Sequence, residues 1–85
     1  MSRHTETVNR LKNEAYTALE TAEGFTANDK LGKNFRIINA EFQVGKFFGV
    51  MEALKIIDLN AYVDIGKSAT GRCDDILHFT SQIEK

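Results

Sequence analysis

Apolar residues recur at steps of three and four along most of this chain, which is the spacing of one face of an α-helix. In the first segment the stripe consists of Val8, Leu11, Ala15, Ala18, Leu19 and Ala22. This spacing predicts a short first helix over residues 5–23. Gly24 stands where a left-handed residue would end the helix, and Phe25 could fold back onto Leu19 as the apolar contact of such a cap.

A second helix is predicted over residues 28–57, because the run Thr26-Ala27-Asn28-Asp29 supplies side chains that cap a helix start. Viewed down its axis, this helix has two apolar stripes on nearly opposite sides. One stripe contains Leu31, Phe35, Ile38, Phe42, Gly45, Gly49 and Ile56. The other contains Ile37, Ala40, Val44, Phe47, Met51 and Leu54. The helix is therefore expected to have neighbours on two faces.

A third helix is predicted over residues 60–84, after the polar break Asp58-Leu59-Asn60. Its apolar stripe runs from Tyr62 to Ile83 at helical spacing, and its length is close to that of the second helix. The segment from Gly66 to Gly71 is its weak point, where a kink could form, because glycine and hydroxyl residues disfavour helix. The sequence thus predicts an all-α domain over residues 1–85, with a short N-terminal helix followed by a long antiparallel αα-hairpin.

Composition and charge narrow the class of protein. The chain has 85 residues, no proline and a formal net charge of -1, so neither the basic excess of nucleic-acid binders nor the acidic excess of DNA mimics is present. The single cysteine, Cys73, cannot close an internal disulfide, which fits a reducing compartment. The polar amino terminus and the absence of a long apolar run predict a soluble, cytoplasmic protein.

Two stretches resemble chemical motifs but lack their context. Ala61–Ser68 matches a relaxed phosphate-loop pattern, yet it follows a helix and carries bulky side chains where the loop needs glycine. Cys73, Asp74, Asp75 and His78 form the densest group of metal-ligating and nucleophilic side chains, but a zinc site or a nucleophile with its base needs more partners. We therefore predict neither a bound cofactor or metal nor an enzymatic activity.

Two further features could mediate binding. Gly45 and Gly49 would permit close approach of another backbone, either the third helix at Gly66 and Ala69 or a second copy of the chain. Lys30, Lys33 and Arg36 lie near one another at the start of the second helix and could contact phosphates, although a solvated helix face is the simpler interpretation.

If the first and third helices covered opposite faces of the second, they would hardly touch, and the flat layer would need self-association to complete its core. We therefore predict a homo-oligomer, in the simplest case a two-fold dimer. The predicted contact residues are Ile37, Val44, Gly45, Phe47, Gly49, Met51 and Leu54.

The predicted function is that of a non-enzymatic interaction protein, a small regulator or inhibitor of another protein, of the kind common among phage and plasmid accessory genes. The alternative is a helical oligomer that binds nucleic acid or nucleotides through Lys30, Lys33 and Arg36, with Lys67 as a further candidate. Salt-dependent retardation in a gel would distinguish the two, because phosphate contacts weaken steeply with salt.

Overall fold

Three α-helices account for most of the chain in the computed structural model, which describes residues 3–84. They are α1 (Arg3–Ala27), α2 (Lys33–Ile57) and α3 (Leu59–Glu84). The all-α prediction is confirmed. The predicted domain also includes residues 1, 2 and 85, which lie outside the described range.

The first helix is longer than predicted, because it does not end at Gly24. No residue within 3–84 has a positive φ, so Gly24 is an ordinary helical residue rather than a left-handed cap. The last carbonyls of α1 are satisfied by a distant side chain instead. Arg36 donates from Nε to the carbonyl oxygen of Phe25, at 3.0 Å, and from its terminal nitrogen to the carbonyl oxygen of Thr26. With its 25 residues, α1 equals α2 in length, so the expectation of a short N-terminal helix is wrong.

The connection between α1 and α2 shifts the start of the second helix from residue 28 to Lys33. Asn28 forms a turn here: its carbonyl accepts from the Leu31 N–H at 3.3 Å and its side chain from the Lys30 N–H at 3.2 Å. These bonds compete with a helix start, as expected for asparagine. Gly32 then takes the N-cap position in an extended conformation, without a side-chain cap.

A single residue, Asp58, joins α2 to α3. Its N–H donates to the carbonyl of Leu54 at 2.7 Å and so closes α2, while its carboxylate accepts from the N–H of Ala61 at 3.1 Å and caps α3. Helix α3 is continuous through the segment from Gly66 to Gly71. The start of α2 lies beside the end of α3, where Arg36 sits over the ring of Phe79, at 4.8 Å from its centroid.

All three helices bury side chains in one core. The molecule is elongated and measures 46 × 18 × 15 Å. The second stripe of α2 provides its largest residues, and α1 faces it with alanines that allow a close approach. Leu19, Leu54 and Ile65, one from each helix, are fully buried.

The predicted flat layer is wrong, because α1 and α3 touch each other as well as α2. The hydroxyls of Tyr16 and Ser68 are 2.8 Å apart, and Arg72 binds Glu23 with two hydrogen bonds, of 2.9 and 2.6 Å. Both helices pack on the same stripe of α2, because buried residues of all three helices belong to one core. The opposite stripe of α2 stays uncovered.

Candidate functional site

The uncovered side of α2 carries a row of exposed apolar side chains. Ile38 is 65% exposed, Phe42 66% and Ile56 85%, and Phe35, which meets Phe25 edge-on, is still half exposed. We call this row the α2 outer face; it consists of Phe35, Ile38, Phe42, Gly45, Gly49 and Ile56. Isolated exposed apolar residues are common on proteins, but contiguous apolar surface is typical of interaction sites.

Gly45 and Gly49 form the centre of the α2 outer face. A Cβ atom added at either position would meet no atom within 4 Å, and both residues are exposed. A Cβ atom added at Gly66, which is half-buried, would also meet no atom within 4 Å, so a close approach of α3 to these glycines, one of the two predicted alternatives, does not occur within the chain. The glycines instead form a shallow, open saddle between the larger side chains on either side.

Charged residues border the α2 outer face. Glu41 lies along one edge and Lys46 along the other, and Glu52 interrupts the row between Gly49 and Ile56; all three are exposed. Lys55 lies on the same edge as Glu41, toward the end of the helix, and its ammonium group lies 5.8 Å from the centroid of the Tyr62 ring. The apolar row is therefore framed by charges of both signs, as interaction surfaces with a polar rim are.

A groove between α2 and α3 continues the apolar surface beyond Phe48, which is half exposed and packs edge-on against Phe47. The groove has a volume of about 250 Å³. It is lined by Phe47, Phe48, Met51, Tyr62, Val63, Gly66, Thr70, Cys73 and Asp74. Its wall is mostly carbon, with Thr70 and Asp74 as polar groups at the α3 side.

The residues predicted to contact a second copy lie in two different places. Ile37, Val44, Phe47, Met51 and Leu54 are at most 6% exposed and belong to the interior of a single chain, where they are not accessible to a partner. Gly45 and Gly49 are on the surface. Of the seven predicted contact residues, Gly45 and Gly49 are therefore the two that are exposed.

The three predicted phosphate contacts are not equivalent. Lys30 and Lys33 are exposed, in the connection and in the first turn of α2. Arg36 is half-buried and already engaged by the carbonyls of Phe25 and Thr26 and by the Phe79 ring. The structure therefore leaves two lysines, rather than a cluster of three cations, to face a phosphate.

The residues around Cys73 do not converge. Cys73 is buried, and burial raises the pKa of its thiol, with Asp74 raising it further, which favours the less reactive thiol form. His78 instead contacts the side chain of Gln82, at 3.0 Å. Across residues 3–84 no group of three metal-ligating side chains comes together. The phosphate-loop-like stretch Ala61–Ser68 lies within α3.

The bidentate pair between Glu23 and Arg72 could not be predicted from local sequence patterns, because the two residues are 49 positions apart. The hydrogen bonds from Arg72 hold the pKa of the Glu23 carboxyl below its ordinary value, and those to Glu23 raise the pKa of Arg72. The pair fixes α1 against α3. It serves the scaffold rather than the α2 outer face.

No helix within residues 3–84 is long and apolar enough to cross a bilayer. Comparison with known proteins gives no match among family models, curated proteins or solved structures.

Proposed function

We propose that this protein is a non-enzymatic binding module that uses the α2 outer face to bind an apolar helical surface of another protein, as a small regulator or inhibitor. The observation that carries the proposal is the exposure of Ile38, Phe42 and Ile56 in one row, on a helix whose opposite side is fully buried. Covering such a row removes apolar area from water, which is the main favourable contribution to most protein association.

The size of the row supports the same interpretation. Phe35 and Phe42 in the row are 52% and 66% exposed, and Phe48, at the adjoining groove, is 50% exposed. A fully buried aromatic side chain removes about 150–250 Å² from water, so these three alone could bury roughly 250–420 Å². A stable complex buries about 800 Å² on each partner. The three rings would supply roughly a third to a half of that area, with Ile38 and Ile56 adding to it.

The sharpest test introduces a charge into the row. Ile38→Glu should abolish binding to a host protein while the helical content and melting temperature stay near those of the wild type, because Ile38 is exposed. Asn13→Glu is the matched control, since it adds the same charge at an exposed position of α1. Proteins captured from the native host by the wild type would be purified and titrated calorimetrically against all three forms.

The proposal fails if every purified partner binds Ile38→Glu as tightly as it binds the wild type. Nucleic-acid binding that weakens steeply with salt, and that Lys30→Gln with Lys33→Gln abolishes, would support the phosphate-binding alternative instead.

A further inference from the structure

The spacing of the α2 outer face matches that of a helix-to-helix seam. Phe35, Ile38, Phe42, Gly45 and Gly49 follow one another at alternating steps of three and four residues, and Ile56 continues the same row after Glu52. A row repeating every seven residues follows the contact line between two packed helices. The row on the α2 outer face needs a partner helix of similar length, and the α2 helix of a second copy has that length.

We propose that the α2 outer face binds the α2 outer face of a second copy, antiparallel, with a two-fold axis passing between Gly45 and Gly49. This inference rests on the proposed use of the α2 outer face for binding, and it makes the partner a second copy of this chain instead of a different protein. The axis sets Gly45 opposite Gly49 of the second copy, where the open saddle of each helix admits the backbone of the other. It also sets Ile38 opposite Ile56 of the second copy, at both ends of the seam.

The charges along the edge that carries Glu41 and Lys55 complement each other in this arrangement. In an antiparallel pair each edge of one helix meets the same edge of the other. Glu41 then faces Lys55 of the second copy, and symmetry repeats this contact, while Phe48 meets its own counterpart near the axis. Both charged residues are exposed, and Lys55 would exchange its contact with the Tyr62 ring for the contact with Glu41. Opposite charges at such flanking positions set partner choice and orientation.

A parallel pairing fits the same face less well. It would stack Glu52 on Glu52 of the second copy within the seam, where like charges are disfavoured, and it would set the two helix dipoles side by side in the same direction. The antiparallel pairing separates the two Glu52 side chains and sets each of them opposite Phe42 of the second copy. Its one like-charge contact is between the two Lys46 side chains, at the opposite edge, where both are exposed to water.

The first test is sedimentation equilibrium of the full chain over a range of concentrations. The wild type should reach the mass of two chains, and Phe42→Glu should hold it at one. Glu41→Lys and Lys55→Glu should each weaken the dimer on the order of tenfold, since each replaces two attractive contacts with repulsive ones, and the double variant should recover most of the affinity. Glu14→Lys and Lys67→Glu, which make the same charge changes at exposed sites on α1 and α3, are the controls.

Two experiments determine orientation. Lys46→Gln should tighten the antiparallel dimer, because it removes the contact between the two lysines, and should weaken a parallel one, in which Lys46 would face Glu41. In a Cys73→Ala background, a mixture of Ile38→Cys and Ile56→Cys chains should oxidise to the mixed disulfide if the pairing is antiparallel. Circular dichroism of each variant checks that the fold is retained.

A mass of one chain at every concentration would overturn the inference, and so would a dimer that Phe42→Glu does not affect. Disulfides that join only Ile38→Cys to itself and Ile56→Cys to itself would overturn the antiparallel orientation. These failures can be told apart from failure of the proposed function. If the chain is monomeric but Ile38→Glu still abolishes binding to a purified host protein, only the choice of partner is wrong.

Discussion

Phe47 and Phe42 lie on opposite sides of α2, and replacing each with alanine tests which stripe stabilises the fold. Phe47 is 3% exposed and packs among Val44, Met51 and the core residues of α1 and α3. Removing a buried phenylalanine ring costs about 3–5 kcal/mol, because the transfer energy is lost and a cavity remains. A domain of this length has a total stability of roughly 4–13 kcal/mol. Phe47→Ala should therefore remove a large share of it.

Phe42→Ala should behave differently, because only a third of that side chain is shielded from water. The lost burial amounts to about 1–2 kcal/mol, and alanine returns roughly half a kcal/mol through its better helix propensity. The expected net cost is about 1 kcal/mol. It should also depend on protein concentration, since Phe42 lies in the proposed contact between two chains, whereas the cost of Phe47→Ala should not.

Urea unfolding followed by far-ultraviolet circular dichroism measures both effects, with midpoints converted to free energies at constant slope. In thermal unfolding, Phe47→Ala should lower the melting temperature by at least about 12 °C, given roughly 4–8 °C per kcal/mol for a domain of this size. Equal losses for the two variants at low concentration would refute the assignment of one stripe to the core and the other to the surface.

Three further predictions concern single contacts. Gly71→Ala and Gly45→Ala should each stabilise the isolated chain by about 0.5–1 kcal/mol in urea unfolding, because the added methyl meets no atom within 4 Å, but only Gly45→Ala should weaken self-association in sedimentation. Arg36→Met should cost about 1–3 kcal/mol and increase hydrogen exchange at the end of α1, whose carbonyls lose their donors; unchanged exchange would contradict this. Glu23→Gln should remove at most about 1 kcal/mol of stability, because the pair with Arg72 is partly exposed. The pKa of Glu23 is lowered in the fold, so the stability that the pair contributes is present above the ordinary carboxyl pKa and is lost as pH falls through the lowered value. The urea midpoints of wild type and variant should therefore converge in acid.

The helices themselves were predictable, because periodicity is a local signal. The end of α2 at Ile57 followed from Asp58, whose short polar side chain caps the next helix. The end of α1 did not, since Gly24 looks like a helix stop, and the donor that replaces the glycine cap, Arg36, comes from another element. Local sequence does not reveal which distant side chain will satisfy a helix terminus.

The sequence predicted neighbours on both stripes of α2, and it also contains a signal for which of the two forms the core. The second stripe runs from Ile37 to Leu54 without a polar residue, as a core stripe should. The first is interrupted by Gly45, Gly49 and Glu52, none of which fills a core. Broken apolar rows with small residues suit a surface that another backbone can approach, whereas unbroken rows suit the interior.

This difference explains why α2 is apolar on two sides although its neighbours within the chain cover only one. The core is complete without the first stripe, because Ile38, Phe42 and Ile56 remain exposed after all three helices have packed. Stability of the single chain therefore does not require large apolar side chains at these positions, and polar residues there would serve solubility better. The exposed apolar side chains form a row centred on two glycines, and these glycines bring α2 no close neighbour within the chain. Such a row is explained if a second helix covers it. The charges at its edges, Glu41 and Lys55 above all, favour a second copy of α2 as that helix.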